Sequence, residues 1–253
     1  MDNTDHSNIV FHFIDQPSLS PLFKERLQNM QNFYKFQVKF IQYKWPQVLF
    51  KDLQNKRQIY AYMVLFLDLM IPDEEIDRLI IMDVDQIVKR DISELAFDID
   101  LNGKPIAMVP HCNSQSSFDQ SPFWLETLIK QGKQYYFSGI ILLDLPLFRQ
   151  KGFGNILRKN YQFLEFEQQQ AENLQLLDQD LLNYSQLTVP IHALDSKWLW
   201  CEAWCEKGQQ NQAYIIDLCG DPHVHIGEGK IQKYKRLEPE AFQRYLNIVK
   251  ELI

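Results

Sequence analysis

Leu79-Ile80-Ile81-Met82-Asp83-Val84-Asp85 is the stretch on which the reading of this chain turns. Four large apolar residues in a row suit a strand covered on both faces, and two carboxylates at its carboxyl end break that pattern. Side chains alternate along an extended chain, so Asp83 and Asp85 project to one side, roughly 7 Å apart at about 3.3 Å per residue. Two uncompensated carboxylates this close repel each other and raise one pKa, and a hard cation shared with phosphate oxygens relieves the repulsion. In open α/β sheets ligands sit outside the carboxyl ends of the strands, which is where this pair stands. The competing reading is a turn-forming or capping acid, because so short a motif arises by chance in an acidic protein.

Strands and helices alternate on either side of this stretch with short connections. Residues 8–14 read as a strand, 21–34 as a helix with Pro21 in its first turn, and 36–43 as a strand alternating Phe36, Val38 and Phe40. A long helix is expected over 53–70, almost wholly apolar from Ile59 to Leu67 and stopped by Pro72. After the acidic-ended strand come a short helix at 92–97, a strand at 106–109, and the continuous apolar run 139–145, which reads as a central strand. Residues 171–185 read as a helix with Leu174, Leu177, Leu181 and Tyr184 on its inner stripe. Gln179 and Asn183, four residues apart, then share the outward face, either as a ligand-reading edge or as a solvated surface. Gln168-Gln169-Gln170 is expected to be a surface loop before that helix. Strands at 188–193 and 214–218 and an amphipathic helix at 238–253 complete the pattern. The alternation implies a mixed or parallel sheet covered on both sides, with no internal repeat and no linker.

At 253 residues the chain is long enough for one large α/β domain. Its hydrophobic fraction of 45% and charged fraction of 23% are those of an ordinary globular protein. A net charge of −7 disfavours nucleic acid or an anionic membrane surface as principal partner. No apolar run approaches the roughly eighteen residues that a membrane span needs. The start Met1-Asp2-Asn3-Thr4-Asp5 lacks the basic residues of a secretory signal. The four cysteines, Cys112, Cys201, Cys205 and Cys219, are compatible with disulfides, buried thiols or, from the Cys201/Cys205 spacing, zinc.

Phosphate-loop, dinucleotide-fingerprint and nucleophile-elbow motifs are absent from the sequence. What remains is acidic: Asp83 and Asp85, Asp178-Gln179-Asp180 on a helix, and Asp217 ending the apolar run Ile215-Ile216. A divalent cation held by carboxylates neutralises a diphosphate leaving group, while Asp, Gln and Asn read sugar hydroxyls. His223 and His225 form an alternative metal pair. Lys230, Lys233, Lys235 and Arg236 are candidates for phosphate contact, with a solvated charge run as the default.

Taken in order, Gln42-Tyr43-Lys44-Trp45-Pro46, Phe66-Leu67-Asp68, Asp83-Val84-Asp85-Gln86-Ile87-Val88, 177–183, 198–205 and Ile216-Asp217-Leu218-Cys219 resemble one family. It is the catalytic domain of the UDP-glucose:glycoprotein glucosyltransferases, glycosyltransferase family 24, related to family 8 enzymes such as glycogenin. The block Trp198-Leu199-Trp200-Cys201-Glu202-Ala203-Trp204-Cys205 is the most discriminating, because Asp-x-Asp is common to many sugar transferases. The resemblance implies an α/β GT-A fold, a Rossmann-like mixed and mostly parallel sheet flanked by helices. It implies one catalytic domain over 1–253, with the nucleotide-binding half in 1–110 and the donor-sugar and acceptor half in 111–253.

The implied activity is transfer of glucose from UDP-glucose, with retention, to high-mannose N-glycans of misfolded glycoproteins in the endoplasmic reticulum lumen. Carried over by position, Asp83, Asp85 and Asp217 would hold Ca²⁺ or Mn²⁺, and Asp178 would bind glucose hydroxyls. Gln179 would lie beside the anomeric carbon, Asn183 would support the sugar or acceptor site, and Ser138 and Gly139 would line the donor pocket. The chain departs from the family pattern as well. Relatives begin with a further strand and helix that help hold uridine, so an N-terminally truncated nucleotide pocket is expected. The family's upstream folding-sensor domains, expected as partners, and its retrieval tail are not in the sequence. Met63 stands in place of Lys, Asn113 and Gln115 in place of Asp and Arg, and Leu182 in place of Pro. The missing strand and the changes at Met63, Asn113 and Gln115 motivate one alternative, an inactive sugar- or glycoprotein-binding fragment, and a second is a family 8 type transferase with another sugar or acceptor.

Overall fold

The computed structural model of the chain describes residues 9–15, 20–42, 66–71, 76–112, 123–170, 178–219 and 227–252. The first described unit is β1 (Val10–Asp15), α1 (Pro21–Tyr34) and β2 (Gln37–Gln42), with β1 and β2 paired in parallel. Ser20 caps α1 by accepting from Phe23 N at 3.1 Å, Pro21 sits in the first turn, and Lys35 closes the helix with φ 58°. Of the expected helix over 53–70, Leu67–Met70 is helical (α2), and residues 53–65 and Pro72 lie outside the described residues, as do Met63, Asn113, Gln115, His223 and His225.

The main sheet is built on β6 (Tyr136–Asp144), with β3 (Arg78–Met82) on one side, β5 (Ile106–Pro110) on the other, and β7 (Ile191–Ala193) beyond β5. A smaller sheet has the order β4 (Gln86–Val88), β9 (Ile215–Asp217), β8 (Trp200–Cys201). The sheets are mixed. Among the described residues the pairings divide evenly, with β1/β2, β5/β7 and β8/β9 parallel and β3/β6, β5/β6 and β4/β9 antiparallel, so parallel pairing does not predominate.

Side-chain alternation divides each central strand between two cores. Ile141 and Leu143 of β6 and Ile106 and Met108 of β5 point to a core closed by helices, including Leu128, Phe148, Leu157 and Leu181. Ile140 and Leu142 of β6 and Ala107 and Val109 of β5 point the other way, to a core closed by the small sheet through Ile87, Trp200, Ile215 and Ile216. These strands are buried on both faces, which is why they read as unbroken apolar runs.

The helical side corrects three expectations. Leu145 does not end the central strand. Asp144 accepts from Leu147 N at 3.0 Å, Pro146 follows in the first turn, and α5 (Leu145–Gln150) begins there. Gln168-Gln169-Gln170 is not a loop but the end of α6 (Phe153–Gln170), whose core contacts are Leu157, Tyr161 and Leu164 at helical spacing. The basic run is solvated only in part: it forms α8 (Lys230–Leu237), on which Lys230, Lys235 and Arg236 are exposed but Lys233 is buried. The remaining helices are α3 (Ser93–Phe97), α4 (Phe123–Lys130), α7 (Asp178–Ser185) and α9 (Pro239–Leu252).

All four cysteines are oxidised, as Cys112–Cys205 and Cys201–Cys219. The second bridge joins the end of β8 to the residues after β9 and closes a loop of sequence separation 18. Replacing Cys201 and Cys219 together by alanine is expected to lower the unfolding free energy by about 3 kcal/mol. Urea denaturation checks this: the midpoint should fall while the slope stays constant.

Candidate active site

The acidic corner forms where the chain leaves the main sheet for the small one. Asp83 N still donates to Gly139 O of β6 at 3.2 Å, and three residues later Gln86 opens β4. The Gln86 amide closes this corner, donating from Nε2 to Gly139 O at 2.7 Å and to Asp217 Oδ2 at 3.2 Å. Leu218 N donates to Asp85 O at 3.0 Å, so the two acidic segments are fastened backbone to backbone. Asp217 packs directly on β6. A Cβ on residue 139 would come within 2.8 Å of its Oδ2, so glycine is what leaves room for the carboxylate.

One pocket gathers Asp83, Asp85, Asp217, Ser138, Gly139 and Gln179, with Phe137, Trp204, Lys230 and the Cys201–Cys219 bridge completing its wall. Asp178 stands beside it, its carboxyl accepting from the Ser138 hydroxyl. The concentration of carboxylates shows in their protonation. Asp83 opens toward solvent on one side, yet burial on the others, and then the charges of Asp217, Asp178 and Asp85, push its pKa up to about 7. Burial also raises Asp178, against the Ser138 bond, and raises Asp217, against the Gln86 bond. Among the described residues no three acidic, histidine or cysteine side chains converge on one point. Lys230 instead pairs with Asp85 at 2.6 Å and donates to Leu218 O, while Asp217 takes its bond from Gln86.

The pairing of Asp83, Asp85 and Asp217 read from the sequence is thus a shared pocket wall, and Ser138, Gly139 and Gln179 line the same space. Asn183 is placed differently from the sequence expectation. It is fully buried rather than on an outward face, its Oδ1 accepting from Tyr136 N and its Nδ2 donating to Tyr136 O, both at 2.8 Å. The Asn183 amide thus serves both backbone groups of Tyr136 as a neighbouring strand would, while toward β5 the bond beside it is His111 N to Tyr135 O at 2.8 Å.

Of two further residues, Lys230 reads in the sequence as a solvated charge by default and Glu202 was missed, because their partners are remote. Lys230 reaches the pocket from the first turn of α8, and Glu202 holds that helix in place. The side chain of Glu202 is 6% exposed and accepts from both Nη atoms of Arg236 at 2.8 Å, with Lys233 Nζ 3.3 Å away. Lys233 Nζ also donates to Cys219 O at 2.6 Å. The Arg236 bond foremost, followed by the bond from Lys233, holds the Glu202 pKa down at about 2. Because the folded value lies below the ordinary glutamate value, the stabilisation is complete above about pH 4.5 and is lost as pH falls through about 2. The stability gap between the natural chain and Glu202→Gln should therefore be widest near neutrality and close across that acid window, as read by denaturant titration at each pH.

The fold is of the GT-A class, and solved structures share it. Galactosyltransferase LgtC superposes with a TM-score of 0.62, covering 94% of this chain and 89% of its own at 18% identity. Sequence then narrows the class to a family. The model for Glucosyltransferase 24 matches residues 1–252, and the chain belongs to that family. UDP-glucose:glycoprotein glucosyltransferase 1 of Homo sapiens is 38% identical over 239 residues, 92% of this chain. The probable UDP-glucose:glycoprotein glucosyltransferase A of Dictyostelium discoideum is 39% identical over 223 residues, 87% of this chain. The chain spans 15% and 13% of the length of these two relatives.

Proposed function

We propose that this chain is a retaining glucosyltransferase domain that moves glucose from UDP-glucose to high-mannose N-glycans of misfolded glycoproteins in the endoplasmic reticulum lumen. The observation that carries the reading is the meeting of Asp83, Asp85 and Asp217 in one pocket with Ser138, Gly139 and Gln179. Family membership and the names of the relatives support the donor and the glycoprotein acceptor. The relatives' greater length supports upstream folding-sensor domains as covalent partners.

The donor set fits a divalent cation, Ca²⁺ or Mn²⁺. Hard oxygens surround the space, and a cation there would offset both the burial that foremost lifts Asp83 to about 7 and the neighbouring carboxylate charges that add to it. Asp83, Asp85 and Asp217 would hold it, and bound there it supplies charge neutralisation for the departing diphosphate. This chain's own residues do the rest. Asp178, oriented by the Ser138 hydroxyl, accepts from glucose hydroxyls. Gln179 sits beside the anomeric carbon with its oxygen tied to Ser138 N at 3.1 Å. Asn183 acts at one remove, fixing the Tyr136 backbone that leads into Ser138. The acceptor hydroxyl enters on the face that UDP leaves, and no protein nucleophile is required.

Asp85→Asn and Asp217→Asn, made in the intact protein, should each lower cation-dependent transfer from UDP-glucose to a denatured high-mannose glycoprotein by more than about a hundredfold. Calorimetry with UDP-glucose and Mn²⁺ should show a matching loss of binding heat. Undiminished transfer and binding in Asp85→Asn would sink the assignment.

A further inference from the structure

Gln179 is held at both ends of its amide, and the polarity of its partners leaves only one arrangement. Ser138 N is a donor and nothing else, so the oxygen of the amide has to face it, at 3.1 Å. The amide nitrogen then faces the Tyr135 hydroxyl at 3.3 Å, where the phenol oxygen accepts. With its oxygen accepting there, Tyr135 sends its one proton to Asp180 Oδ1 at 2.9 Å. Burial foremost, with the Asp180 charge second, holds that proton on the phenol far above the ordinary tyrosine range, so the donor is always present. Packing fixes the ring as well. Tyr135 is 5% exposed and stacks on Trp124, with centroids 6.4 Å apart and planes at 18°.

A primary amide has a nearly isosteric flipped state, and only its neighbours choose between the two. Flipping Gln179 sets its NH₂ against Ser138 N–H, donor against donor, in a partly buried site. The choice matters to a sugar donor. A centre gaining positive charge is stabilised by an amide oxygen and repelled by an N–H, so one flip state favours departure of the diphosphate and the other opposes it. We propose that Tyr135, backed by Asp180, is a positioning residue that together with Ser138 N holds the flip state of the Gln179 amide in the donor pocket. Its effect on turnover rests on the function proposed above, while its effect on the amide does not.

Two measurements separate these dependencies. In ¹⁵N-labelled protein, the side-chain amide signals of Gln179, assigned by their loss in Gln179→Ala, should be two resolved protons in slow exchange with solvent. Tyr135→Phe should merge them or speed their exchange about tenfold or more. Asp180→Asn, which keeps an accepting oxygen, should leave them as they are, and Asp180→Leu should resemble Tyr135→Phe. Unchanged Gln179 signals in Tyr135→Phe would overturn the proposal. In the intact protein with UDP-glucose, Tyr135→Phe should lower kcat by about ten- to a hundredfold, with KM for UDP-glucose changed less than about twofold. Full kcat in Tyr135→Phe alongside a collapse in Gln179→Ala would also overturn it. Full kcat in both variants would instead remove Gln179 from the reaction and defeat the functional reading, leaving the amide signals to decide the role of Tyr135.

Discussion

The carboxylate of Asp217 rests against the backbone of Gly139, and much of the site depends on that contact being allowed. Gly139 belongs to the central strand of the main sheet and Asp217 ends the central strand of the small one. No side chain separates the two sheets there, so a charged group is carried to the very edge of the apolar core formed by Ile140, Leu142, Ile215 and Ile216. Gln86 spans the same point, donating to both partners. A buried acid is costly unless it is hydrogen-bonded or shares a counter-charge, and this one has the Gln86 amide, the Cys219 backbone and the Lys230 charge for company. The corner at Asp83 and Asp85 is then crowded with like charge because two sheets converge on it, not because the local sequence is unusually acidic.

Seen this way, α7 and α8 address opposite needs of the pocket. Along α7, Asp178, Gln179, Asp180 and Asn183 are bonded to Ser138, Tyr135 and Tyr136, a polar seam laid along an otherwise apolar strand. Such a seam fixes register, since shifting the helix by one residue leaves several buried polar groups unmatched. Along α8, Lys230 brings positive charge to Asp85, while Glu202, Lys233 and Arg236 fasten the helix to the Cys201–Cys205 loop. Negative charge is fixed by the sheets and positive charge is brought up by a separately anchored helix.

The strands at 79–82 and 139–144 and the helix at 21–34 were legible because each carries its reason locally: an unbroken apolar run, or a cap followed by proline. The acidic members of the site were legible for the same cause, as charges ending such runs. Asn183 was not, because its burial answers the backbone N–H and C=O of Tyr136, far off in sequence and met only after α7 has packed against β6. Lys230 reads as solvated because a cation on a helix surface looks so until its remote partner is known, and Glu202 was missed because its partners Lys233 and Arg236 lie far on in sequence. The helix at 153–170 did carry helical spacing in Leu157, Tyr161 and Leu164, but only its polar end at 168–170 was assigned, and as a loop.

The two disulfides bear on how such a pocket comes into being. Cys112 finds its partner 93 residues later, and Cys201 must pass over Cys205, the nearer thiol, to join Cys219. As the chain emerges from the ribosome, both thiols within reach of Cys201 before Cys219 appears, Cys112 and Cys205, are therefore wrong partners. The pocket wall is completed only after translation has moved past Cys219 and thiol exchange has sorted the pairs. In a reducing solution the same polypeptide holds every carboxylate of the site and lacks the cross-links that frame it. The maturation of this domain is thus tied to an electron acceptor, a requirement set by the order of its cysteines rather than by the sugar chemistry they surround.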